Sequence, residues 1–152
     1  SMMNSSIQQL TQIVLTYTPL LNNLDEQDAM YKSSPEKWSK KELIGHLIDS
    51  AQNNIRRFVV AQYEEKPHIT YAQDTWVKAA GYQEYPLKDL IVLWELLNKH
   101  MVRILTTIPA SMHEREVSTG SLHSIQWLAA DYNKHLLHHL HQVLELERVA
   151  YP

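Results

Sequence analysis

Apolar residues at Ile7, Leu10, Val14, Tyr17, Leu21 and Leu24 advance in steps of three and four, the stripe of a helix that buries one side. This spacing predicts a first helix from about Ser5, with Pro19 expected to kink it or begin a new turn. The polar stretch 25–38, which contains Ser33-Ser34-Pro35, is expected to be a loop. Ser39-Lys40-Lys41-Glu42 then fits a capping box, where a Ser hydroxyl and a Glu carboxylate satisfy free backbone donors at a helix start. A second helix is predicted from Lys40 to Gln62, with Leu47, Ile48, Ala51, Ile55 and Phe58 on its apolar side. His46 borders that side, and Ser50, Asn53 and Arg57 continue a polar lane below it.

Pro67, Gly81 and Pro86 interrupt the pattern between Tyr63 and Tyr85, leaving a short helical candidate, Gln73 to Ala80, inside a long connection. A third helix is expected from Leu87, where Pro86 suits a helix start, along the stripe Leu90, Leu93, Trp94, Leu97, Met101 and Leu105. Pro109 closes it. Residues 110–122 are polar and read as loop, and Ser121 or Ser124 is placed to cap a fourth helix running to about Val149. Four long helices without a sustained strand pattern predict an all-α protein, a four-helix bundle, as a single domain over 1–152. The long link from helix 2 to helix 3 permits a crossover across the bundle end, and the shorter link before helix 4 suits antiparallel neighbours.

Helix 4 carries the densest chemistry, with His135, His138, His139 and His141 among the chain's nine histidines. At about 100° per residue, His139 falls near 40° from His135 on the face shared with Leu128, Tyr132, Leu136 and Val143. His138 and His141 project to about 300° and 240°, among Lys134 and Glu145. Two imidazoles at i and i+4 on an inward face can bind one metal ion, as in zinc helices, but no Glu lies between them to suggest a metalloprotease. His46 brings the donor count to three, the number a catalytic zinc needs with one position open. His68, His100, His113 and His123 lack a partner at ligand spacing and read as surface or satisfied side chains.

Other residues leave two readings open. Asn53 and Arg57 can fix an anionic substrate or a cofactor carboxylate, or Arg57 can be a solvated helix charge. Asp131 can steady a ring nitrogen of His135 or lie near the exposed helix start. Asp49 is expected to face solvent or a neighbouring helix, and Trp94 to lie in the core.

Composition narrows the chemistry. The chain has no cysteine, which removes disulfides, thiolate metal ligands and a cysteine nucleophile of its own. A net charge of -3 without a basic run argues against nucleic-acid binding, and no apolar run is long enough for a membrane span. The N-terminus lacks a secretory layout, so a cytoplasmic protein is expected, and Ser1 ahead of Met2-Met3 reads as an expression scar.

The segment WSKKELIGHLIDSAQNNIRRF, from Trp38 to Phe58, taken with YNKHLLHHLHQV, from Tyr132 to Val143, resembles the DinB/YfiT-like family of bacterial four-helix-bundle proteins. The resemblance implies a divalent metal, commonly zinc or nickel, held by His46, His135 and His139. It also implies a thiol-dependent S-transferase or isomerase activity that draws on an external low-molecular-weight thiol such as bacillithiol or mycothiol, and often a homodimer. A metal-dependent transferase or hydrolase acting on a small molecule is therefore the first expectation. The alternative is a non-enzymatic metal-binding protein of a stress response.

Overall fold

The computed structural model describes residues 1–152 and builds its core from four long helices: α1 (Met2–Asn22), α3 (Lys40–Val60), α5 (Leu87–Thr107) and α6 (Ile125–Val143). α3 packs beside α5 and α6, and α1 packs beside the same two, so the bundle runs in the order α1, α5, α3, α6 around its axis. α5 and α6 lie on a diagonal, contrary to the antiparallel pairing expected from the link before α6. No helix is long and apolar enough to cross a membrane.

α1 starts earlier than its apolar stripe suggests because the Ser1 hydroxyl accepts the Asn4 amide at 3.2 Å, a capping role for a residue read as a scar. Pro19 does not break the helix. It faces solvent, as does Leu15, whose carbonyl is the one that Pro19 deprives of its usual helical donor. The stretch expected as loop contains a one-turn helix, α2 (Glu26–Met30), capped by the Asp25 carboxylate on the Asp28 amide. The capping box at Ser39 and Glu42 is present in full, and the Ser39 hydroxyl also donates to Gln83 at 2.5 Å.

The long connection forms α4 (Gln73–Ala80), stopped by Gly81 at φ 69°, then a 3-10 turn, Tyr82–Glu84, that docks on α3. Docking requires Gly45, since a Cβ there would lie 2.1 Å from the Tyr82 ring. The stretch 110–124 contains a hairpin as well as a turn. β1 (Glu116–Ser118) pairs antiparallel with β2 (Leu122–Ser124), Val117 opposite His123, around Gly120 at φ 108°. The Ile69 amide donates to the Ser118 carbonyl and the Ser118 amide to the Pro67 carbonyl, both at 2.9 Å, so the two long connections are sewn together.

Trp94, Phe58, Leu10, Leu47, Ile48 and Leu90 are fully buried and fill the bundle centre. Polar ties cross this core: the Tyr132 hydroxyl donates to Asn98 at 2.6 Å, and the Asn133 amide donates to the Ser6 carbonyl at 2.9 Å. Their hydrogen-bonding groups would be costly to bury unpaired, so they favour one arrangement of α6 against α5 and α1.

α6 ends six residues before the expected Val149. Glu145 takes φ 56°, and the amides of Glu145 and Leu146 bond the carbonyls of Gln142 and His141 at 3.3 and 2.9 Å. This is the reversal usually built on glycine.

Candidate metal centre

Adjacent packing of α3 and α6 brings three histidine rings together. His46 sits in the second turn after the capping box, which together with the Gly45–Tyr82 contact fixes the axial position of α3. His135 and His139 project from the same side of α6, and each ring packs edge-on against His46, with centroids 5.1 and 4.9 Å away. One ring nitrogen from each of the three lies within 4.8 Å of the others. The Trp38 ring packs against His46, with centroids 5.0 Å apart.

The geometry and protonation of these rings fit a divalent transition ion. His46 Nε2 and His135 Nε2 are 3.2 Å apart, close to the ~3.3 Å expected between two nitrogens bound tetrahedrally to one zinc at ordinary bond lengths. Burial holds the imidazoles neutral: His46 is pushed down to about 4 and His135 to about 3, with charge on His139 adding to both. His139 is lowered by the same cause, against a rise from its bond to Gln142. Neutral rings offer the lone pairs that a metal ligand needs. The His139 Nδ1–H donates to Gln142 Oε1 at 2.9 Å, which directs its Nε2 lone pair toward the cluster. His46 Nδ1 is buried without a partner.

A cavity of about 340 Å3 opens against His135. Its walls include Arg57 and Tyr71 on one side, and Trp127 and Asp131 of α6 on another. Asn53, expected beside Arg57, lies outside these walls and donates its amide to the Asp49 carbonyl at 2.9 Å; Asn54 takes the place at the wall. Arg57 is half-buried, and its guanidinium donates twice to the Ile69 carbonyl, at 2.8 and 3.1 Å, and once to Asn54 at 3.2 Å. No carboxylate pairs with it, and two of its five N–H donors are left for a ligand.

Asp131 holds the Tyr151 hydroxyl at 2.7 Å instead of a histidine ring. His138 and His141 stay out of the cluster and bond backbone carbonyls of the segment beyond α6. His123 stacks on Trp127 at 3.6 Å and His68 bonds the Ser118 hydroxyl at 2.8 Å, so both serve the connections.

Of the two placements expected for Asp49, solvent fails: the side chain turns to the neighbouring 3-10 turn that docks on α3. It is fully buried, accepts the Tyr82 hydroxyl, and is pushed up to about 6 by burial. Sequence reasoning also missed the cavity residues Thr119 and His123. The Thr119-Gly120-Ser121 turn between short alternating segments was the available signal for their hairpin.

Comparisons with known proteins agree with this arrangement. A proposed metal-dependent hydrolase of Halalkalibacterium halodurans is 28% identical over 137 residues, spanning 88% of this chain and 80% of that one. Another from Bacillus cereus strain AH820 is 23% identical over 150 residues, 97% of this chain and 86% of that one. Among solved structures, YfiT from Bacillus subtilis, described as a probable metal-dependent hydrolase with an unusual four-helix bundle topology, superposes with a TM-score of 0.84 at 18% identity, covering 94% of this chain and 84% of that one. That likeness is one of fold. The model of the DinB superfamily matches residues 9–143, a span that holds α3, α5 and α6 whole, most of α1 and all three clustered histidines, and the chain belongs to that superfamily.

Proposed function

We propose that this protein is a metal-dependent enzyme in which His46, His135 and His139 hold a divalent ion, zinc or nickel. It acts on a small molecule by hydrolysis or by transfer to an external low-molecular-weight thiol. The observation that carries the reading is the convergence of three imidazoles held neutral by burial, one of which, His135, reaches the wall of a cavity. A divalent ion held there supplies Lewis acidity, which activates a water or a thiol near neutral pH.

The chain's own residues do the remaining work. Arg57, fastened by the Ile69 carbonyl, presents its free donors to an anionic group of the ligand. Trp127 and Tyr71 offer aromatic surface to the ligand body and limit the water that surrounds it. The names of the relatives from Halalkalibacterium halodurans and Bacillus cereus support the hydrolytic branch, and the absence of cysteine requires the thiol of the other branch to come from outside.

Metal analysis of untagged protein, followed by a turnover screen, tests the reading. The screen sets ester and amide substrates against electrophiles supplied with bacillithiol, mycothiol or glutathione. One ion per chain and turnover that stops on chelation are expected. A loaded protein inert to every substrate would point to the non-enzymatic stress-response role, and a protein that takes up no ion would overturn the proposal.

A further inference from the structure

Two of the four histidines on α6 point away from the metal centre, yet both are engaged. The His138 Nδ1–H donates to the Val149 carbonyl at 2.6 Å, and the His141 Nδ1–H donates to the Glu147 carbonyl at 2.8 Å. The Tyr17 hydroxyl donates to His141 Nε2 at 2.6 Å, which suits the tautomer carrying its proton on Nδ1. The reversal at Glu145 turns the chain, and these two rings fasten the returning segment beside α6.

The segment delivers Tyr151 to the cavity. Its ring stands edge-on to His135 at 5.3 Å, its hydroxyl donates to Asp131 at 2.7 Å, and all three residues share the cavity wall. Past Leu144, which packs partly buried against the core, no residue up to Tyr151 is fully buried, so the segment beyond it is retained mainly by polar contacts. Water replaces such bonds at a small net cost each, so the segment can lift while the bundle stays folded. It also lies beyond Val143, where the superfamily match stops.

We propose that residues 144–151 form a strap, clasped by His138 and His141, that makes Tyr151 the size-selecting wall in front of the metal centre. The inference rests on reading the three-histidine cluster as that centre. With the strap seated, the Tyr151 ring shields one face of His135 and the cavity keeps to about 340 Å3, the small end of the range for small-molecule sites. Compact ligands enter past the seated ring, and bulky ones require its displacement. Tyr151 is the specificity-determining residue, and His138 and His141 are positioning residues that act through it.

The test uses the full chain loaded with Co(II), whose visible absorption changes when an added ligand reaches the ion, with azide as the compact probe and 4-phenylimidazole as the bulky one. Tyr151→Ala and the double variant His138→Ala/His141→Ala are expected to bind 4-phenylimidazole roughly tenfold more tightly than wild type, with azide affinity unchanged. Tyr151→Phe, which keeps the ring, is expected to stay near wild type. Equal 4-phenylimidazole affinity in wild type, Tyr151→Ala and the double variant would overturn the strap, as would a joint loss of both probes, the mark of a merely supporting role. A second arm needs no metal: in chelator-treated protein, diethylpyrocarbonate modification of His135, read by peptide mass spectrometry, is expected to be several-fold faster in Tyr151→Ala and in the double variant. Equal rates there would sink the strap. If even wild type takes up no cobalt, the metal reading fails by itself and this second arm decides the strap.

Discussion

The Asp49 carboxylate accepts the Tyr82 hydroxyl inside the protein, fully buried and with its second oxygen unpaired. Burial raises its pKa from 3.8 to about 6, so between those values the folded state holds a proton that the unfolded state has released. Stability contributed by this group is therefore present below about pH 4 and lost as pH rises through about 6. The loss relative to Asp49→Asn should be on the order of 1 to 3 kcal/mol. Denaturant titrations of both metal-free proteins at pH 4 and pH 7 measure it, and a pH-independent difference would contradict the buried carboxyl.

Gly45→Ala should destabilise the protein by about 1 to 3 kcal/mol, because the new methyl group enters the Tyr82 ring. Helix propensity alone favours Ala here by roughly 1 kcal/mol, so the sign of the change separates the two effects. Thermal denaturation of the variant decides it.

Ser39→Ala removes the acceptor for the Glu42 amide and the bond to Gln83. A loss of about 1 to 2 kcal/mol is expected. It should be visible as a lower denaturation midpoint with an unchanged slope.

Replacing His46, His135 or His139 by Ala should lower metal occupancy roughly tenfold or more. His138→Ala and His141→Ala should leave it near wild type, since both rings bond backbone away from the cluster. Elemental analysis after dialysis gives the result. An empty site in His138→Ala beside a full one in His139→Ala would reverse the ligand assignment.

The legible parts of this protein were those governed by local periodicity. The stripes of α3 and α5, the capping box at Ser39 and the shared face of His135 and His139 follow from a 3.6-residue repeat and short-range hydrogen bonding. Features set by distant partners were not legible. Helical phase turns Asp49 away from His46, but only the return of Tyr82, 33 residues later, explains why that side is buried. Likewise α6 stops where Glu145 adopts a left-handed conformation that nothing in its side chain announces. Asn54 replaced Asn53 at the cavity because a one-residue step moves a helical side chain by about 100°.

The separation of 89 positions between His46 and His135 bears on how the protein is made and kept folded. Closing so long a loop costs entropy that a flexible chain recovers only when α3 and α6 have already docked. The complete triad therefore belongs to the folded state, while the unfolded chain offers at most the weaker pair on α6. An ion that binds the triad selectively acts as a sensor of completed folding, and each tenfold rise in its free concentration above the dissociation constant adds about 1.4 kcal/mol to the stability of the whole bundle.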